Sequence, residues 1–196
     1  MSTGISAIVL AAGDSSRMGE LNKLLLPFNS KTIIETVVDK LEAADVDEVI
    51  VVLGFEAQQI RNKLKNRAVQ FVDNTGYRNG MTSSIQTGVS TASESSAGYL
   101  ICLADMPLLT PQDYKRIINE FKLGQKWIVK PTFQGQSGNP IMFSANFKKE
   151  ILEHKDPDGC RKIVQQFKEF VNTIEFTDDR VLRDIDTPDD YSSYEV

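Results

Sequence analysis

Short apolar runs alternate with amphipathic stretches along most of this chain. Several runs consist almost entirely of Val, Ile, Leu and Ala, which is typical of strands buried on both faces of a sheet. The predicted strands are 8–12, 48–53, 69–72, 99–103, 127–131 and 171–176. Because helices are predicted between them, we expect neighbouring strands to run parallel through right-handed crossovers.

The helices are predicted from the spacing of their apolar positions and from the residues that begin them. Thr32 and Glu35 have the spacing of a capping box, and Thr110 followed by Pro111 is typical of a helix start. Further helices are predicted at 56–64, at 81–89 and after Thr187. This order predicts an α/β fold, a three-layer α/β/α arrangement around a Rossmann-like, mostly parallel sheet, with antiparallel additions between residues 127 and 143.

The first apolar run ends at Gly13 in a loop of small and basic residues. The loop contains Arg17, Gly19 and Lys23 before the chain becomes apolar again at residues 24–26. Glycines let backbone N–H groups approach an anion, and an arginine and a lysine neutralise phosphate charge. The loop therefore indicates a triphosphate site at the carboxyl end of a buried strand. Its spacing matches neither G-x-x-x-x-G-K-[ST] nor G-x-G-x-x-G, which argues against a Walker ATPase and a classical dinucleotide dehydrogenase.

Two later segments bring polar residues to the same predicted edge of the sheet. Asp105 follows the strand 99–103 and is a candidate ligand for a hard cation, although an Asp in this position is more often a turn former or a cap. Asn79 and Gly80 form a turn before a predicted helix that begins at Met81. The free N–H groups of that helix start suit a phosphate, and an N-cap without any ligand is the alternative.

Composition and charge restrict the partners. The 196 residues are 41% hydrophobic and 25% charged, which fits one globular domain spanning residues 1–196. A net charge of −5 argues against non-specific binding of nucleic acid or of an anionic membrane. Cys102 and Cys160 form neither a disulfide framework nor a metal-ligand pattern. No signal-like or membrane-spanning apolar run is present, so we expect a cytoplasmic location.

The ordered motifs of the chain resemble a known family. The string LAAG-x-S-x-RMG-x-x-x-K-x-LLP spans residues 10–27, and GMTSSI, LADMP, GNP and DIDTP follow at residues 80–85, 103–107, 138–140 and 184–188. Together they resemble the MobA-like nucleotidyltransferases, and within these they are most similar to the molybdenum cofactor cytidylyltransferases. The resemblance implies a fold of the nucleotide-diphospho-sugar transferase type.

The resemblance also implies roles for particular residues. Arg17, Lys23 and Asp105 are the implied catalytic residues, and Asp105 with Asp186 would hold Mg²⁺, or Mn²⁺ in its place, with Asp184 as the alternative second ligand. Gly138 and Asn139, in a Gly-rich loop at residues 132–139, are implied to lie beside the acceptor. The implied nucleotide-binding residues are Leu10, Ala11, Ala12, Gly13, Arg17, Lys23, Gly80 and Ser84.

One segment departs from the family pattern. The cytidylyltransferases usually carry a Gly-Asp-basic-Gly-Ala-Arg string where this chain has residues 156–161, and only Gly159 and Arg161 stay in register. An acceptor contact from this segment is therefore in doubt. His154, beside it, is predicted to lie on a solvated helix face.

By resemblance, the reaction is transfer of CMP from CTP to molybdopterin, which releases pyrophosphate and gives molybdopterin cytosine dinucleotide. A Leu-Ala-Ala-Gly start goes with cytidylyl transfer in these families, and a Leu-Ala-Gly-Gly start with guanylyl transfer. The alternatives are a GTP-using guanylyltransferase or a sugar-phosphate or methylerythritol-phosphate nucleotidyltransferase, a non-catalytic cofactor carrier for a molybdoenzyme client, and a nucleotide-binding regulatory domain.

Overall fold

The chain folds around one mixed sheet, seen here in a computed structural model that describes residues 4–19 and 21–194. The strands are β1 (Gly4–Ala11), β2 (Pro27–Phe28), β3 (Lys31–Thr32), β4 (Glu48–Leu53), β5 (Gln70–Asp73), β6 (Ser96–Leu103), β7 (Ile128–Phe133), β8 (Gln136–Ser137), β9 (Ile141–Ser144) and β10 (Val171–Glu175). The helices are α1 (Ile33–Glu42), α2 (Ala57–Leu64), α3 (Met81–Thr91), α4 (Pro111–Lys122), α5 (Lys148–Glu153), α6 (Arg161–Gln166) and α7 (Pro188–Ser192).

The order of strands across the main sheet is β10-β7-β9-β6-β1-β4-β5, and β8 pairs with β7. β5, β4, β1 and β6 are parallel neighbours, and β10 is parallel to β7. β9 is antiparallel to both β6 and β7, and β8 is antiparallel to β7. β2 and β3 pair separately. The predicted mostly parallel sheet with antiparallel additions is thereby confirmed.

Alternate residues of β1 enter two separate apolar cores, one on each face of the sheet. Val9 faces the core that contains α1, α2 and α4, whereas Ile8 faces the core that contains α3, α5 and α6. Side chains along a strand alternate between faces, so a strand that is apolar throughout needs a helical layer on both sides. This packing confirms the three-layer α/β/α arrangement.

The Gly-rich segment after β7 contains a tight hairpin. Gln134 and Gly135 connect β7 to β8 with φ angles of 49° and 76°. Two successive residues with positive φ are the mark of a type I′ turn, which suits the twist of antiparallel strands. A hairpin is one interpretation of the Gly-rich sequence at residues 132–139, but the position of the turn was not predicted, because Gln is not one of the residues that usually adopt its first position. Elsewhere, no helix in the described ranges is long and apolar enough to cross a membrane.

We expect Gly88→Ala to destabilise the fold. In the interior of a helix, Ala is normally better than Gly by about 1 kcal/mol. Here, however, an added Cβ would lie 2.2 Å from Ile8 Cγ2 and 3.0 Å from Val52 Cγ2, because α3 packs closely on the sheet at this position. Overpacking of this kind costs about 1–3 kcal/mol, and a thermal unfolding scan should show a Tm lowered by about 2–10 °C.

Ser90→Ala is the matched control, since Ser90 lies on the exposed side of the same helix. Its Tm should stay the same or rise slightly. A Gly88→Ala protein with a Tm equal to or above the Ser90→Ala protein contradicts the close packing of α3 on β1 and β4.

Candidate functional site

A cavity of about 260 Å³ opens at the carboxyl ends of β1 and β6. The loop after β1 forms one side of it and the N-terminus of α3 another. Parallel strands bring their carboxyl ends to one edge, and this is where open α/β sheets bind ligands. The cavity is lined by Leu10, Ala12, Gly13, Asp14, Ser15, Ser16, Arg17, Lys23, Leu24, Tyr77, Gly80, Met81, Ser84, Leu103, Asp105 and Asp186.

The loop after β1 is folded back on itself by contacts of Ser15. Ser15 has a φ of 52°, its carbonyl oxygen accepts a hydrogen bond of 2.7 Å from the Met18 N–H, and its hydroxyl oxygen accepts one of 3.2 Å from the Lys23 N–H. Met18 is buried beneath the loop. These contacts bring Arg17 and Lys23, which are six positions apart in the chain, to the same cavity.

Lys23 is the centre of a charged cluster. Its Nζ lies 2.5 Å from Asp105 Oδ2 and 2.7 Å from Asp186 Oδ1, and Arg17 Nη1 lies 2.7 Å from Asp186 Oδ2. The Ile185 N–H donates a hydrogen bond of 2.9 Å to the Asp105 carbonyl oxygen. This backbone contact holds the segment before α7 against the end of β6, so Asp186 reaches the cavity from a distant part of the chain.

The cluster changes the acidity of two of its members. Burial opposes the charged form of Lys23, but the charge of Asp105 and hydrogen bonds to Asp105 and Asp186 outweigh it, and the pKa of Lys23 is raised. Burial, followed by the negative charges of Asp105 and Asp186, raises the pKa of the Asp184 carboxyl. Lys23 is therefore positively charged at neutral pH. A nearby cation would stabilise the charged form of Asp184.

The carboxylates of Asp105, Asp184 and Asp186 fit a divalent metal. One ligand atom from each lies within 4.8 Å of the others. Asp105 Oδ1 is buried and has no hydrogen-bond partner among the described residues, so it is an acceptor in need of a donor or a cation. With all groups ionised, these three carboxylates, Arg17 and Lys23 sum to a charge of −1. Hard oxygen ligands that also leave room for substrate phosphates suit Mg²⁺ or Mn²⁺.

The start of α3 forms the wall of the cavity opposite the loop. Asn74 is buried at the end of β5, and its side-chain amide donates hydrogen bonds of 2.9 Å to Ser83 Oγ and 3.0 Å to Ser84 Oγ. Ser84 therefore acts as an acceptor toward Asn74 and keeps its own hydroxyl proton available for donation. Gly80, at the N-terminus of α3, has a φ of 98°, which favours glycine.

A second cavity of about 610 Å³ adjoins the first, and Met81 and Leu103 line both. Gly138 and Asn139 are part of its wall. An added Cβ at Gly138 would lie 2.4 Å from the Val181 carbonyl oxygen, so this glycine also has a packing role. The remaining lining residues are Ile85, Ile101, Lys130, Gln136, Ser137, Ile141, Phe143, Asp158, Cys160, Arg161, Val164 and Gln165.

Segment 156–161, which departs from the family string, docks on the start of α3. The Gly159 N–H donates a hydrogen bond of 3.0 Å to Thr82 Oγ1, and the Thr82 hydroxyl donates to the Asp156 carbonyl oxygen. Arg161 is the last residue of this segment and lines the second cavity. His154 is half-buried, with Nε2 3.1 Å from the Gly159 carbonyl oxygen, so the expected solvated position of its side chain is wrong.

Cys160 contributes an inert wall to the second cavity. Burial raises the pKa of the Cys160 thiol to about 12, so it is protonated at neutral pH. A protonated, buried thiol behaves as a small apolar group rather than a nucleophile. Cys102 is buried in the core.

Most residues selected from the sequence meet in this region. Of the proposed nucleotide-binding residues, Ala11 differs from the others, because its side chain is buried in the core beneath the cavity. Asp184 and Asp186, which the sequence treated as alternatives, both join Asp105. The lining residues that sequence reasoning missed include Tyr77 and Lys130, because neither belongs to a motif with a recognisable spacing.

Comparison with known proteins identifies the family. The MobA-like NTP transferase domain matches residues 7–170. The molybdenum cofactor cytidylyltransferase of Escherichia coli strain K12 is 25% identical over 190 residues, which cover 96% of this chain and 94% of that protein. Nicotine blue oxidoreductase of Paenarthrobacter nicotinovorans is also 25% identical over 191 residues, 93% of this chain and 92% of that protein.

A solved structure from Mycobacterium tuberculosis H37Rv, a complex with manganese, has a TM-score of 0.83 to this chain at 24% identity and covers 98% of both chains. That similarity confirms the α/β fold over the whole described length. The family match covers most of the chain and includes the loop after β1 and Asp105, whereas Asp184 and Asp186 lie beyond its end. The protein therefore belongs to the MobA-like NTP transferase family and is a nucleotidyltransferase.

Proposed function

We propose that this nucleotidyltransferase moves CMP from CTP to molybdopterin, releasing pyrophosphate and forming molybdopterin cytosine dinucleotide. The observation that carries the proposal is the cluster of Arg17, Lys23 and three carboxylates, of which Asp105 and Asp186 line the smaller of two cavities. The two cavities form a junction at Met81 and Leu103. Such a junction suits a nucleotide in the smaller cavity and an acceptor in the larger one. The similarity to the cytidylyltransferase of Escherichia coli supports CTP and molybdopterin as the substrates.

Arg17 and Lys23 would bind the triphosphate. The Arg17 side chain is 67% exposed, so its guanidinium can turn toward a ligand while staying near Asp186. Lys23 supplies a buried point charge, and backbone N–H groups of the loop add further donors. Charge neutralisation at the phosphates is the main contribution that side chains make to phosphoryl and nucleotidyl transfer.

Asp105, with Asp186 and Asp184, would hold a divalent cation. Their net charge of −1 together with Arg17 and Lys23 would repel a triphosphate, so a divalent ion is needed to make the site attractive to CTP. When bound, such an ion neutralises phosphate charge and orients the α-phosphate. The manganese complex of the structurally similar protein from M. tuberculosis supports this proposal.

The larger cavity would hold molybdopterin. Lys130 and Arg161 supply positive charge for its phosphate, and Phe143 and Val164 supply an apolar surface. Gly138 and Asn139 would contact the acceptor from the loop before β9. A phosphate oxygen of the acceptor then attacks the α-phosphorus of CTP, the bond from that phosphorus to the bridging oxygen breaks, and pyrophosphate leaves. Because the attacking oxygen is already ionised at pH 7, no side chain needs to remove a proton.

Release of pyrophosphate, measured with each of the four NTPs and with and without molybdopterin, tests the proposal. We expect release that requires both CTP and molybdopterin, accompanied by formation of the dinucleotide. Turnover with a sugar phosphate or methylerythritol phosphate instead would identify another acceptor. Binding of molybdopterin without any turnover would identify a carrier, and binding of CTP alone a regulatory domain.

Asp105→Ala should abolish turnover and weaken Mn²⁺ binding while leaving the fold intact. The variant removes the carboxylate that contacts Lys23 and carries the unpartnered buried oxygen. Pyrophosphate release, titration of Mn²⁺ and a thermal scan measure the three effects. Asp45→Asn, which changes an exposed carboxylate paired with Lys115, is the control and should leave all three unchanged. Normal turnover in Asp105→Ala would rule out its role as the metal ligand.

The choice of base is expected to depend on Ala12. Glycine at position 12 would leave room for a purine, whereas the methyl group of Ala12 narrows the space and still admits a pyrimidine. Ala12 lines the cavity but is only 3% exposed, so its effect should be modest. A single methyl group can change the preference of a site for one substrate over another by about 10–200-fold, and we expect an effect at the lower end of that range. The kcat/KM for CTP should exceed that for GTP, and Ala12→Gly should reduce the ratio about tenfold or less.

The two nucleotides are compared at the same Mg²⁺ concentration. A wild-type protein that prefers GTP contradicts the cytidylyltransferase proposal. An unchanged ratio in Ala12→Gly leaves that proposal standing but shows that Ala12 is not the reason for the preference.

A further inference from the structure

We propose that Tyr77 contacts the nucleobase. Tyr77 would then contribute to the affinity for a nucleotide but not to the affinity for the phosphates alone. The inference rests on the proposed function in placing a nucleotide in the first cavity. Tyr77 lines that cavity and is the only aromatic residue to do so within residues 4–19 and 21–194. It lies in the turn between β5 and α3 and is half-buried.

The position of Tyr77 depends on Gly54, the residue after β4. A Cβ added to Gly54 would lie 2.8 Å from Tyr77 Cγ, 2.6 Å from the Ala12 carbonyl oxygen and 2.9 Å from Ala12 Cβ. The absence of a side chain therefore lets the tyrosine ring lie directly on the sheet edge beside Ala12. Tyr77 and Ala12 together bound this end of the cavity, and Gly54 sets the distance between them.

The turn that carries Tyr77 is held from both sides. The Gly76 N–H donates a hydrogen bond of 2.9 Å to Asn74 Oδ1, and the Asn79 N–H donates one of 2.9 Å to the Gly76 carbonyl oxygen. Asn74 is the same buried side chain that positions Ser84. A ring on a turn fixed by a buried amide is preorganised, which lowers the entropic cost of using it to bind a ligand.

The order of the strands places Tyr77 away from the charged cluster. Gly54 follows β4 and the Tyr77 turn follows β5, whereas Asp105 follows β6, and β1 lies between β4 and β6. The cavity therefore has a charged end on the β6 side and an apolar, aromatic end on the β4 side. A triphosphate held by Arg17 and Lys23 leaves the opposite end for the base.

The Tyr77 ring has one further neighbour. The Arg78 guanidinium carbon lies 5.6 Å from the ring centroid, and Arg78 is exposed and outside the cavity lining. Removal of Arg78 therefore tests whether any change in this turn affects binding, whereas removal of Tyr77 tests the wall of the cavity itself.

The experiment compares the binding of CTP with the binding of inorganic tripolyphosphate, both with Mg²⁺, by calorimetric titration. Contact of a base with an aromatic side chain corresponds to about a 5- to 150-fold change in affinity on substitution by alanine. We expect Tyr77→Ala to weaken CTP binding within that range and to leave tripolyphosphate binding unchanged. Tyr77→Phe keeps the ring and should retain most of the affinity for CTP. Arg78→Ala is the matched control and should bind both ligands as the wild type does.

Two results would overturn the inference. One is a Tyr77→Ala protein that binds CTP as tightly as the wild type, and the other is a protein that loses CTP and tripolyphosphate to the same degree. A thermal scan of each variant separates loss of the contact from loss of the fold. If the wild type binds no nucleoside triphosphate at all, the proposed function fails, whereas nucleotide binding that is indifferent to Tyr77 removes this inference alone.

Discussion

The pairing of Lys23 with Asp105 and Asp186 is the interaction on which the architecture of the site depends. The three residues come from the loop after β1, the end of β6 and the segment before α7, and the two contacts span 82 and 163 positions of the chain. Burying charges is costly unless they are paired, so these groups must either stay together or meet other charges. The hydrogen bond from Ile185 to the backbone of Asp105 keeps them together. A site assembled in this way is ready for an anionic ligand only when additional positive charge is present.

The start of α3 connects this charged site to the rest of the molecule. Ser84 faces the smaller cavity, Met81 lies between the two cavities, and Thr82 holds segment 156–161 by hydrogen bonds. The close approach of Pro157 to Gly80, where an added Cβ would lie 2.7 Å from the Pro157 carbonyl oxygen, completes this contact. A change in segment 156–161 is therefore expected to influence both cavities. This physical link gives the segment a structural role even where it departs from the string typical of cytidylyltransferases.

Features with a local physical cause were predicted well from the sequence. The helices that begin after Thr32, Thr110 and Thr187 all have the capping box or N-cap that their residues indicate, because capping involves atoms only three residues apart. The six strands that were predicted individually begin and end within about four residues of the observed ones, because a strand covered by helices on both faces needs an apolar run. The type I′ turn at Gln134 and Gly135 was not predicted, and neither was the partial burial of His154. Each depends on contacts that a residue's own neighbours in sequence do not reveal.

The sequence by itself determined the fold class, the loop of small and basic residues, and the position of Asp105 at the end of a buried strand. These follow from hydrophobic periodicity and from the rule that parallel strands end at one edge. Only the tertiary structure decided that Asp184 and Asp186 both join Asp105, that Ala11 turns into the core, and that Tyr77 lies on Gly54 beside Ala12. The reason is geometric. Alternation along a strand and periodicity along a helix are set by covalent neighbours, whereas the meeting of a loop, a turn and a terminal segment is set by how whole layers pack.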